Sequence, residues 1–140
     1  RPHTYTVDML SSIFINLPVT KLTRSVEFFT ALGFSFNEQF TDEESTCMLV
    51  ADNIFVMLIE KQKFEKFIDK QIAPADTTEA ILSFSCESTD EVRELSEKAF
   101  TLGARQVKGP EDAGFMYSWG FEDLDGHLWD LFWMNPDHVN

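Results

Sequence analysis

The stretch IFINLPVTKLTRSVEFFTALGF, residues 13–34, decides the fold. Ile13, Ile15, Leu17 and Val19 alternate with Phe14, Asn16 and Pro18, the period of two that marks a strand. From Leu22 the apolar positions Leu22, Val26, Phe29 and Leu32 recur at helical spacing, and Gly33 supplies a residue that tolerates a left-handed stop. The same order returns in AILSFSCESTDEVRELSEKAFTLGA, residues 80–104. There Ala80, Leu82, Phe84 and Cys86 alternate with Ile81, Ser83 and Ser85, Ser88 with Glu91 forms a capping box, and Gly103 closes a helix through Val92, Leu95, Ala99 and Leu102. Val19 matches Cys86 and Gly33 matches Gly103, at offsets of 67 and 70 residues in a chain of 140. A period of half the chain means a duplicated module, too long for a solenoid repeat.

Outward from each helix the pattern predicts three more strands. In the first half these are Phe34 to Phe40, Thr46 to Val50 and Ile54 to Ile59; in the second they are Arg105 to Lys108, Phe115 to Phe121 and Leu128 to Met134. Asp125-Gly126 is a hairpin signal between the last two, since both residues tolerate positive φ. Each half therefore reads β-α-β-β-β. The expected divisions are a tail over 1–12 with Met9 as a candidate start, a module over 13–60, a short helix and linker over 61–78, a second module over 79–134 and a tail over 135–140. Phe64, Phe67 and Ile68 with interspersed Lys predict that short amphipathic helix.

With 44% hydrophobic residues the chain has ample material for one core, which excludes a disordered protein, and 2 Cys exclude a disulfide-stapled miniprotein. A net charge of −13 would repel a phosphate backbone, so nucleic acid is excluded as a partner. No apolar run approaches the roughly 20 residues needed to cross a bilayer. Cys47 and Cys86, in apolar strand-like segments with no CxxC, read as free thiols of a reduced, cytoplasmic setting.

The apolar faces of the first and fifth strands should pack on the helices, leaving mixed faces opposite. Those carry Phe14 and Asn16, then Ile81, Ser83 and Ser85. The last strand separates Trp129, Leu131 and Trp133 from Leu128, Asp130 and Phe132, which leaves a carboxylate in mid-strand. Asp130 is the candidate acid, base or ligand-anchoring group.

Paired βαβββ modules resemble the vicinal oxygen chelate superfamily, the glyoxalase, bleomycin-resistance and dioxygenase group. The resemblance is carried early by Leu17-Pro18-Val19, Leu22, Ser25-Val26, Phe28-Phe29 and Leu32-Gly33-Phe34, and late by Phe121-Glu122-Asp123, Asp125-Gly126-His127 and Trp129. It implies an α+β fold in which two βαβββ modules form a curved, open barrel-like mixed sheet with helices outside, the glyoxalase-like fold, and it implies a homodimer. The family's usual metal ligands fall on Phe14, Met57, Ile81 and Asp130, of which only the last is a donor for a hard or borderline cation. Three His in the chain, His3, His127 and His138, are too few and too terminal for a two-His iron site or a catalytic zinc site.

No nucleophile motif and no phosphate-cradling glycine loop is present. The expected site is a pocket lined by Phe14, Asn16, Met57, Ile81, Ser83, Asp130 and Phe132, with Phe115, Tyr117 or Trp119 adding a stacking surface. Apolar walls with a few fixed polar groups suit an aromatic or amphipathic small molecule, and one carboxylate suits a cationic or donor group. The expected function is that of a metal-independent small-molecule binder with no cofactor. Two rivals stay open: a metal-dependent lyase, isomerase or dioxygenase joining Asp130 to Glu60, Glu122 or His127, and a metal-free enzyme with Asp130 as base.

Overall fold

The computed structural model describes residues 10–137. His3, Met9 and His138 lie outside the described residues, as do 1–9 of the expected N-terminal tail and 138–140 of the C-terminal one. In chain order the elements are β1 (Ile13–Val19), α1 (Leu22–Ala31), β2 (Ser35–Asn37), β3 (Ser45–Ala51), β4 (Ile54–Glu60), α2 (Lys61–Phe64), β5 (Ile81–Ser85), α3 (Thr89–Thr101), β6 (Glu111–Asp112), β7 (Met116–Glu122) and β8 (Leu128–Met134). They make two four-stranded mixed sheets of the same topology, β1-β4-β3-β2 and β5-β8-β7-β6. In each, the first strand pairs parallel to the last and the other pairs are antiparallel. The duplicated βαβββ order and the glyoxalase-like α+β class are as the sequence predicts, and neither sheet closes into a barrel.

Local signals act as expected at both helices. Gly33 and Gly103 take φ values of 108° and 107°, the left-handed stop after α1 and α3. Ser88 Oγ accepts from the Glu91 amide while Glu91 Oε1 accepts from the Glu87 amide, satisfying donors ahead of α3. Three expectations need correction. The strand at Arg105 to Lys108 is only a bridge between Arg105 and Glu122, and the edge strand forms later, at β6. The strand from Phe34 to Phe40 stops at Asn37, whose side chain accepts from the Gln39 amide and turns the chain into a 3-10 turn, Glu38–Phe40. The segment around Phe64 continues as a second 3-10 turn, Glu65–Phe67, but Phe67 is 66% exposed, so it buries no continuous apolar face.

Both sheets turn one face to a single core. Leu17 and Val19 of β1, Val56 and Leu58 of β4, Phe121 of β7, and Trp129 and Leu131 of β8 all belong to it. Between the sheets lies α1. Phe29 rests against Trp129 with centroids 5.1 Å apart, and Phe28 meets Phe121 edge-on at 6.0 Å. Each such side chain, fully buried, contributes about 2–3 kcal/mol. The second helix, α3, lies against β7 and β8, with Phe100 edge-on to Trp119 at 5.4 Å. Since the inward faces meet in one core, the opposite faces of the two sheets point outward, away from each other.

Candidate functional site

The outward face of the first sheet follows from strand parity. Phe14, Asn16, Phe55 and Met57 alternate with the core residues of β1 and β4, and the parallel register puts Phe14 beside Phe55 and Asn16 beside Met57. Phe14 and Phe55 stack with centroids 4.5 Å apart and planes 17° from parallel. The stack leaves Phe14 47% exposed, a large apolar surface facing solvent. A hollow of about 520 Å³ opens here between Phe14, Asn16 and Met57 on the sheet and Phe40, Asp42 and Lys63 at its rim. Lys63 Nζ donates to Asp42 Oδ2 at 2.6 Å and to Ser45 Oγ at 2.9 Å. The Lys63 ammonium, helped by the Glu44 amide, holds the Asp42 carboxyl down at about 2.

The second sheet carries its own hollow, of about 490 Å³, among Ile81, Ser83, Val107, Lys108, Leu128 and Asp130. Ser83 and Asp130 sit side by side in the β5–β8 register, and Gly120 is Asp130's neighbour on β7. Gly120 is a requirement of the backbone: its φ is 142°, and a Cβ there would lie 2.1 Å from the Trp129 carbonyl oxygen. The missing side chain leaves one flank of Asp130 clear. A half-buried carboxylate, a neighbouring hydroxyl and apolar walls can together orient a donor or cationic head with an apolar body.

These placements divide the expected site. Phe14, Asn16 and Met57 come together on one sheet. Ile81, Ser83 and Asp130 come together on the other, with Phe132 beside Ser85 on the same face. Within one chain the two sets face apart and form two hollows instead of one pocket. Tyr117 and Trp119 share parity with Phe121 and pair with Trp133 and Leu131, so their rings point to the core and α3. Trp119 borders the second hollow, yet its indole Nε1 donates to the Lys108 carbonyl at 2.9 Å and its ring packs on Phe100. Phe55, Asp42 and Lys63 were not anticipated. Phe55 was legible as the period-two companion of Met57, whereas the Lys63–Asp42 pair joins a loop to α2 and leaves no pattern in the sequence.

The groups proposed to partner Asp130 have other occupations. Glu60 Oε2 accepts from the Leu22 amide at 2.9 Å, and this bond holds its carboxyl below the usual range. Glu122 pairs with Arg105 at 2.8 Å. His127 is buried in the β7–β8 hairpin, its Nε2 bonded to the Pro18 carbonyl at 2.7 Å and its Nδ1 3.2 Å from Glu79 Oε2 without hydrogen-bond alignment. Asp123, also buried, accepts from the amides of Asp125 and His127 and from Trp129 Nε1, so the Asp-rich turn is a hairpin brace rather than a calcium loop. Phe14, Met57 and Ile81, at three of the four family ligand positions, offer no oxygen or nitrogen donor, so the set does not fit a hard or borderline cation. Among the described residues no group of three or more His, Cys, Asp or Glu is placed to hold a metal ion.

Comparison with known proteins agrees with the fold. Residues 12–51 match the family described as bleomycin resistance protein-like N-terminal. Among solved structures, a hypothetical protein, SA1046, from S. aureus is 29% identical, with a TM-score of 0.74 over 89% of this chain and 94% of that one. A glyoxalase-related enzyme from Fulvimarina pelagi superposes with a TM-score of 0.75 at 16% identity, over 89% and 88% of the two chains. The fosfomycin resistance protein FosX from Listeria monocytogenes gives 0.68 at 20% identity, over 96% and 100%. No curated protein matches the chain in sequence. Paired βαβββ modules and these likenesses give the chain the glyoxalase-like α+β fold, and residues 12–51 are similar to the bleomycin resistance protein-like N-terminal family. That match runs from the start of β1 to the end of β3 in the first module.

Proposed function

We propose that this protein binds an amphipathic, aromatic small molecule with a cationic or hydrogen-bond-donating head, without a metal. The observation that carries the reading is Asp130, a half-buried carboxylate beside Ser83 in an apolar-walled hollow, while the other three family ligand positions, Phe14, Met57 and Ile81, lack donors. One hollow covers a ligand from one side only, whereas small-molecule sites commonly enclose most of their ligand. We therefore assign the completed site to two copies of the chain, the first-module face of one closing on the second-module face of the other. The stacked Phe14–Phe55 pair would then supply the aromatic wall opposite the Asp130 anchor.

The test compares phenyltrimethylammonium with its neutral isostere tert-butylbenzene by calorimetric titration. We expect the cation to bind at least tenfold more tightly and Asp130→Asn to erase that preference. Equal binding of the two probes, or a preference untouched by Asp130→Asn, would overturn the assignment. Elemental analysis of protein purified without an affinity-metal column, then offered Mg²⁺, Mn²⁺, Fe²⁺, Ni²⁺ and Zn²⁺, is the second arm. Retention near one ion per chain would overturn the metal-free reading and turn attention to enzymes like the glyoxalase-related relatives.

A further inference from the structure

Where the modules meet on their inward sides, packing leaves a cavity of about 140 Å³. Leu32, Phe34 and Val50 wall it from the first module, and Phe84, Leu95 and Trp129 from the second. It lies across the second sheet from the Asp130 hollow, because Trp129 and Asp130 are successive residues of β8 and point to opposite faces. Protein interiors hold few voids larger than a water molecule. Apolar cavities of this order accept small aromatic molecules such as benzene, and this one reaches solvent where Phe34, Val50, Glu91 and Leu95 are only half-buried.

The cavity has one polar corner, made by Cys86 and Glu91. Burial, reinforced by the Glu91 charge, raises the Cys86 thiol to about 11, so it is neutral at physiological pH. The Glu91 carboxylate accepts from the Glu87 amide at 2.7 Å and from the Cys86 thiol, and its two oxygens still have lone pairs for a further donor. The aromatic walls are braced by one another, Trp129 stacking on Phe84 with centroids 5.4 Å apart and on Phe121 at 6.0 Å, so the cavity keeps its shape without a ligand.

We propose that this inter-module cavity is a second ligand site, distinct from the open sheet faces, that takes a single-ring aromatic molecule bearing one O–H or N–H donor directed at Glu91. A ligand there touches both modules at once and fills space that the chain's own side chains leave empty.

Phenol and toluene are the probes, added to the full chain and followed by NMR. Phenol should bind saturably, about tenfold more tightly than toluene, and its ring protons should show intermolecular NOEs to the Trp129 indole and the Leu95 methyls. Leu95→Phe, which fills the cavity, should weaken phenol at least tenfold while leaving phenyltrimethylammonium on the open face unaffected; Glu91→Gln should remove the preference for phenol over toluene. Absence of those NOEs at saturating phenol overturns the site in the wild-type chain, whatever the folding of the variants. Equal affinity for the two probes overturns the assigned ligand class, and unchanged phenol binding by a folded Leu95→Phe protein places the probe elsewhere.

Discussion

Asp123 is 7% exposed and takes three hydrogen bonds from within its own hairpin. Burial raises its carboxyl, and the His127 charge with these donors opposes the rise. Replacing it by Ala strands the Trp129 indole N–H and two backbone amides together. We expect Asp123→Ala to lose about 3 kcal/mol of stability in urea titration, since each buried unsatisfied group costs roughly 1–3 kcal/mol. At this scale the sequence was legible where chemistry is local. Asp125-Gly126 read as a turn because both residues accept positive φ, and Gly126 takes 89°. That Asp130 lies on the face opposite Trp129 and Leu131 was legible from alternation. The inward turn of the Tyr117 and Trp119 rings was not legible because alternation tells which residues share a face, not which face turns inward. That choice is made by register: Phe121 lies opposite Trp129, and both are driven to the core with α1.

As an element, α1 is buried on two sides, by its own sheet and by the partner module's. Leu22, Ser25, Phe28, Phe29 and Leu32 are its buried positions. Phe29→Ala would empty a site touched by Phe28, Phe34 and Trp129, and should cost about 3–5 kcal/mol, measurable as a lowered Tm with the fold retained in far-UV circular dichroism. Helix and strand existence was readable because seven-residue strands and a helix of 13 residues carry several periods of pattern. The short edge strands were not. After Arg105 the chain reaches Gly109 and Pro110, and a proline lacks the donor a ladder needs, so pairing resumes only at Glu111.

For the whole molecule, the outward faces present Phe14 at 47% and Ile81 at 61% exposure on opposite sides of the core. Large apolar side chains on strand faces mark interaction surfaces. If each face closes on its complement in a second copy, the chain is a dimer, and we expect sedimentation equilibrium to give twice the 16.1 kDa chain mass. Ile81→Asp, which sets a second carboxylate near Asp130, should yield a folded monomer; a wild-type monomer at tens of micromolar would count against pairing. The duplicated architecture was legible in the sequence because the repeat spans half the chain. The separation of the site into two hollows was not, since it depends on which sheet faces meet in the core.

The N-terminus of α1 has consequences for how the chain folds. No side chain of its own caps it: Lys21 occupies the cap position, the Leu22 amide is taken by Glu60 at the end of β4, and Asp125 holds the Thr20 amide and Ser25 hydroxyl from the far hairpin. Partners 38 and 100–105 residues downstream must therefore be made before this helix is finished. During synthesis the first module emerges with only the Glu60 bond at its helix N-terminus, the Asp125 bonds still to come and its two phenylalanines not yet covered by the second module. Such a chain commits late, and its opening half waits on its last hairpin.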